Sequence, residues 1–213
     1  MSAVPEPAAA SASDTPFGVH DETPREDHII VLDGMIWEDY ERLLHARGAR
    51  RSPRIAFHAG ALELMAPSRY HEALKSWIGC LLEAWCLDRG VDFGPYGSWT
   101  LEDRARQVGL EPDECYIFGP AGERVRPDLA VEVIWTSGGI GKLAIYRELE
   151  VDEVWTWRQG AITVSVLEDG EYRPRPRSRR FPDLDLELLV SFLDRPTASQ
   201  AIREYRAALQ AKP

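Results

Sequence analysis

Residues 68 to 90 constrain the fold more than any other stretch. Ser68 stands where a helix N-cap would, and His71, Leu74, Trp77, Ile78, Leu81, Leu82 and Trp85 recur at spacings of three and four before Arg89 and Gly90. The spacing predicts one long helix, opened by a side-chain oxygen, closed by glycine, and apolar over a wide stripe on one face. Such a stripe has to be covered, and a sheet is the surface that covers it. Segments 28–34, 54–58, 61–65, about 91–101, 113–118, 127–135, 153–158, 161–168 and about 171–175 read as strands. The pair 54–58 and 61–65, joined by Ala59 and Gly60, has the alternation and turn of a β-hairpin. Further helices are predicted from Trp37 to about Ala46, over 140–149, near 184–193 and over about 198–210, the last opened by Thr197 and Gln200 at capping-box spacing. Connections are of hairpin length, so the expected class is α/β (α+β): a mixed central sheet flanked by helices rather than a doubly wound parallel one.

The 213 residues suffice for one domain with appendages. Residues 1–27 are rich in Ala, Pro, Ser and acidic side chains, which predicts a disordered tail, then a domain over 28–194 and a helical extension over 195–213. Lys plus Arg number 25 against 35 Asp plus Glu, a net charge of −10. That balance argues against a protein that coats phosphates indiscriminately but leaves open a nuclease, whose metal site itself needs carboxylates. Cys80, Cys86 and Cys115 are too few and odd in number for a disulfide framework, and their spacing suits no zinc site. They read as small buried hydrophobes in a reducing compartment, the cytoplasm by default. The sequence shows neither a secretory signal pattern nor an apolar run long enough for a membrane span, so no membrane partner is expected.

Most catalytic signatures are missing: there is no GxxxxGKS or GxxxxGKT, no GxSxG and no HExxH, and Gly138, Gly139 and Gly141 lack the dinucleotide spacing. The informative stretches are EPDECYIF (111–118) and RPDLAVEV (126–133), separated by about eight residues with two glycines and a proline, the makings of an antiparallel hairpin. Pairing Phe118 near Val125 or Arg126 sets Asp113 opposite residues 130–132, beside Glu132. Carboxylates so opposed lie ~5 Å apart and repel unless a proton or cation intervenes. Glu132 also interrupts the apolar run LAVEVIW, where a buried carboxylate is costly unless paired or metal-bound. Mg²⁺, which takes one or two carboxylates plus waters, would turn the repulsion into a site. Asp128 lies ~13 Å from Glu132 along a straight strand, too far to grip the same ion. Lys142 opens the helix after this strand, so its amine can return toward Glu132 and stabilise charge on a phosphate or position a water. Two carboxylates and a lysine about a metal suit phosphodiester hydrolysis, and the three groups are expected to converge within ~4–6 Å.

At these residues the chain resembles the Uma-two family of restriction endonucleases, part of the PD-(D/E)XK nuclease superfamily. The matching pieces are ALELMAPSRYHEAL (61–74), GLEPDECYIF (109–118), RPDLAVEVI (126–134), GKLAIYRELEVDEVWTW (141–157) and FPDLDLELLVSFLD (181–194). The resemblance implies a restriction-endonuclease-like core with Mg²⁺ or Mn²⁺ held on the two strands of the central hairpin. Carried over by position, Asp113 answers to the strand aspartate and Glu132 to the acidic residue of the D/E-x-K element, the pair that the register reaches independently. Ile134 stands where the usual lysine would be, and Lys142 fits the following helix, from which the family commonly supplies it. Asp128 also matches a family motif and is expected to support the site, either flanking a second ion or holding the turn. His71, on the core-facing stripe, and Glu63, on the strand before it, are second-tier candidates.

The expected function is a metal-dependent endonuclease acting on DNA, with a homodimer as the form that cuts two strands. The alternative is a nuclease-fold binding or assembly module without activity. Arg47, Arg50, Arg51 and Arg54 form one basic cluster, and Arg173, Arg175, Arg177, Arg179 and Arg180 another. They are either solvated loop charge or contacts to a nucleic-acid backbone.

Overall fold

The structure is a computed structural model describing residues 26–120 and 122–211. Of the tail expected over residues 1–27, residues 1–25 lie outside the described residues. In chain order the elements are β1 (His28–Asp33), α1 (Trp37–Arg47), β2 (Arg54–His58), β3 (Ala61–Ala66), α2 (Arg69–Arg89), β4 (Phe93–Pro95), β5 (Leu101–Asp103), β6 (Val108–Leu110), β7 (Glu114–Phe118), β8 (Leu129–Val133), α3 (Lys142–Glu148), β9 (Glu153–Arg158), β10 (Ala161–Glu168), β11 (Glu171–Arg175), α4 (Leu186–Val190) and α5 (Ala198–Ala211). Among the described residues no helix is long and apolar enough to cross a membrane.

The strands form two sheets. A six-stranded mixed sheet runs β11-β10-β9-β8-β7-β4, with β8 and β9 parallel and the other pairs antiparallel. A five-stranded antiparallel sheet runs β1-β3-β2-β6-β5. The mixed sheet and the β2–β3 hairpin follow from sequence pattern; the second sheet as a unit does not. Its strands β5 and β6 have three residues each, too short to display alternation, and they join β2 through the pairing of Phe57 with Gly109. Glycine is required at that crossing, because a Cβ on Gly109 would stand 2.3 Å from the Tyr40 hydroxyl. The strand expected over 91–101 contracts to Phe93–Pro95. The helix expected near 184–193 is confined to Leu186–Val190, capped by Asp185 on the Leu188 amide at 2.9 Å.

The long helix forms as its sequence predicts. Ser68 accepts from the His71 amide at 3.2 Å, Gly90 follows the last turn, and the stripe of Leu74, Ile78, Leu81, Leu82 and Trp85 is buried. It packs on β7 and β8 and is backed by α4 and α5. Each large side chain so covered contributes about 1.5–3 kcal/mol. The helix at the end of the chain is capped by Thr197 Oγ1, which accepts from the Gln200 amide at 3.2 Å.

β8 is buried on both faces, and its alternation decides which way Glu132 faces. Leu129, Val131 and Val133 join the α2 core, whereas Ala130 joins Ile145, Tyr146 and Val154 on the other side. Glu132 shares Ala130's face by period-two alternation, so its carboxylate is carried toward α3.

Cys86 and Cys115 are buried and Cys80 is partly so. Burial pushes the Cys86 and Cys115 thiols up to about 12 by disfavouring the thiolate. Neither is expected to react with a thiol-directed reagent near about pH 8 until the chain unfolds, because thiolate is the reacting form. Timed labelling with and without urea checks this, and rapid native labelling of more than one cysteine would contradict it.

Candidate active site

β7 and β8 pair Glu114 with Val131, Cys115 with Ala130 and Tyr116 with Leu129, within the register read from the sequence. One step further along, Asp113 stands beside Glu132. The Asp113 side chain is fully buried. Its Oδ2 accepts from the Val133 amide at 2.6 Å, and its Oδ1 accepts from the Arg54 guanidinium and lies 3.0 Å from His71 Nε2. Burial alone would push this carboxyl up, but the charges of Lys142, Arg54 and His71 prevail and hold it well below the usual carboxylate range.

Two residues around Asp113 depart from the sequence reading. Arg54, grouped there with loop charge, is 5% exposed at the head of β2 and bridges Asp113 to Glu72. Asp27, placed at the end of the tail, is buried; it accepts from the Ser68 amide at 2.7 Å, and its own amide donates to Thr136 Oγ1 at 2.9 Å. Its Oδ2 lies 3.0 Å from His71 Nδ1, so the imidazole of the fully buried His71 has a carboxylate at each ring nitrogen. Burial opposes a charged ring, but the hydrogen bonds to Asp113 and Asp27 outweigh it and raise the His71 pKa to about 9.

Glu132, 4% exposed, receives Lys142 Nζ on Oε2 at 2.7 Å and the Tyr146 hydroxyl on Oε1. Lys142 and Tyr146 are four apart on α3 and therefore share a face. Burial raises the Glu132 pKa; Lys142 pulls it back and Asp113 pushes it further, leaving it above its ordinary value. Burial would lower the Lys142 pKa, but Glu132, Asp113 and Glu63 hold the amine protonated beyond the usual lysine range. Lys142 is thus a fixed cation and not a base.

Glu63 reaches the same place from β3, its Oε2 accepting from the Ile140 amide at 2.8 Å. The glycine run without nucleotide spacing has a steric purpose here: a Cβ on Gly139 would come within 2.2 Å of that oxygen. Glu63, Glu132, Lys142, Thr136 and Arg158 lie on the wall of a cavity of about 550 Å³, whose lining does not include Asp113.

Other expected residues are not brought here. Asp128, four positions before Glu132, takes the Phe118 amide at 2.8 Å, Arg124 at 3.1 Å and Arg180 at 3.0 Å, and so holds the turn of the β7–β8 hairpin. Of the second arginine cluster, Arg173 and Arg175 pair with Glu168, Arg177 donates to the Pro182 carbonyl, and Arg179 to that of Leu167. Arg180 covers Phe118 as well as meeting Asp128. Arg47 pairs with Glu111, and exposed Arg50 and Arg51 border a separate hollow with Tyr96 and Thr100.

Tyr146 was missed, although its spacing of four from Lys142 could have pointed to it. Arg54 carried only a weak signal, an arginine heading an apolar strand, and Asp27 carried none, since its partners lie 41 to 109 residues away.

Asp113 and Glu132 supply hard carboxylate oxygens, and among the described residues no group of three or more His, Cys, Asp or Glu side chains assembles as a metal cage. Two carboxylates plus waters would be enough for Mg²⁺, and Asp113 and Glu132 are the residues that would supply the carboxylates. Glu132 would be the ligand on the cavity wall, and Asp113 the one behind it, now paired with Arg54. Comparison with known proteins agrees in outline: the family model Uma2, described as "Putative restriction endonuclease", matches residues 37–197, more than half of the chain. No curated protein matches it.

Proposed function

The chain belongs to the Uma2 family of restriction endonucleases, and from that premise we propose a Mg²⁺-dependent endonuclease that hydrolyses DNA phosphodiester bonds at Asp113, Glu132 and Lys142. The observation that carries the reading is the meeting of Lys142 Nζ with Glu132 Oε2 at 2.7 Å on the wall of the cavity, with a second carboxylate on the neighbouring strand. Mg²⁺ bound at the carboxylates would supply Lewis acidity, activating a water and offsetting phosphate charge. The side chains do the rest. Tyr146 fixes the plane of the Glu132 carboxylate, Arg54 and His71 fix that of Asp113, and the protonated amine of Lys142 stabilises charge gathering on a phosphate oxygen. The reading further places the protein in the cytoplasm, consistent with its free cysteines, and pairs two copies to cut a duplex.

One observation favours an inactive binding module instead. Asp113 is enclosed by Arg54, His71 and the Val133 amide, so it is open to an ion only when Arg54 moves. Cleavage decides between the two. Plasmid and single-stranded DNA incubated with Mg²⁺ or Mn²⁺ are expected to be cut by the native chain, to survive in EDTA, and to be cut at least about 10³-fold more slowly by Glu132→Ala. Intact DNA under every condition would favour the module, and undiminished cutting by Glu132→Ala would move the chemistry elsewhere.

A further inference from the structure

We propose that Arg158, to which no function has been assigned above, grips a backbone phosphate of the nucleic acid one step from the phosphate held at Glu132 and Lys142. The inference rests on the nuclease reading and adds a substrate contact to it. In the parallel pairing of β8 with β9, Glu132 is the partner of Thr156, and Val133 of Trp157. Partners in register share a face, and so do residues two apart in a strand, so Glu132, its lateral neighbour Thr156 and, two residues further along β9, Arg158 lie on one face of the cavity wall. Two residues of strand advance roughly 6–7 Å, comparable to the separation of consecutive phosphates along a nucleic-acid strand.

The wall's carboxylates repel a phosphate, so a phosphate held there needs a cation to receive it. Asp27, Glu63 and Glu132 line it with three carboxylates, and the Lys142 amine is already taken by Glu132. Arg158 is exposed, and its side chain makes no hydrogen bond or ion pair with the described residues. An uncommitted guanidinium fork beside a hydrolytic centre matches a phosphate in shape and charge. Its backbone is well held, because Trp157 stacks on Trp135 with ring centroids 6.0 Å apart and Arg158 pairs with Ala161 across the turn to β10.

The test separates this contact from the chemistry. Binding of a short labelled DNA duplex is followed by fluorescence anisotropy over a series of KCl concentrations, in a Glu132→Gln background that does not cut. Arg158→Gln is expected to weaken binding about tenfold at moderate salt, to lower the slope of log K against log salt by about one, and to leave the melting temperature unchanged. Arg158→Lys keeps the slope. An unchanged slope and affinity in Arg158→Gln would overturn the proposal and leave the nuclease reading intact if the native chain cuts DNA. Absence of DNA binding by the Glu132→Gln parent, together with no cutting by the native chain, would overturn both.

Discussion

Lys142→Met is expected to slow Mg²⁺-dependent DNA cleavage by about 10²–10³-fold, the range found when one preorganised donor to a developing negative charge is removed. The expectation follows from where the amine is held. It sits 2.7 Å from Glu132 Oε2, largely buried, and is kept protonated by Glu132, Asp113 and Glu63 acting together against burial. A group so strongly charged has no proton to lose in the working range, so its contribution is electrostatic. Methionine keeps most of the apolar stem and deletes the charge. Glu132 then loses its counterion, and a carboxyl already pushed up by burial rises further, which favours the uncharged form and weakens its hold on a cation. Single-turnover rates across pH, set beside a thermal melt, distinguish loss of chemistry from loss of fold. A rate within a few-fold of native would sink the assignment of Lys142.

Arg54→Met is expected to lower unfolding free energy by about 3 kcal/mol, the lower end of the cost of breaking a buried ion pair from one side. Asp113 retains His71 and the Val133 amide, which is why the lower end applies, but Glu72 loses its partner as well. The pairing has a signature beyond the single loss. The double variant Arg54→Met with Asp113→Asn removes both charges, and urea titrations should show a loss smaller than the sum of the two single losses by a coupling of about 1–3 kcal/mol. Strict additivity would mean that the guanidinium and the carboxylate do not stabilise one another, contrary to their geometry.

How much of this was legible depended on the range of the interaction. The α2 stripe and the β7–β8 register are local, and the side chains of residues 68–90 and 111–133 contain enough alternation to read both. That register alone brought Asp113 to Glu132, and helical spacing brought Lys142 and Tyr146 to one face. Arg54 and Asp27 answer to a different rule. Each is polar, adjoins a segment that looks like loop, and acquires its meaning from a partner 41 or more residues away. For Asp128 the sequence left two roles open, a second ion or the hairpin turn, and its partners at the Phe118 amide and Arg124 are those of the turn.

The alternation of β8 and β9 has a consequence for how this protein tolerates change. Val131, Val133 and Trp155 point into one compartment, while Glu132, Thr156 and Arg158 point into the other. Adjacent codons therefore answer to unrelated selective pressures. A saturation library sorted first for abundance and then for cutting would show that alternation over residues 131–133 and 155–158, whereas Ala130 and Val154, buried on the second face, are depleted already in the first sort. The two-residue pleat thus lets the cavity-facing positions change while the wall that supports them stays fixed.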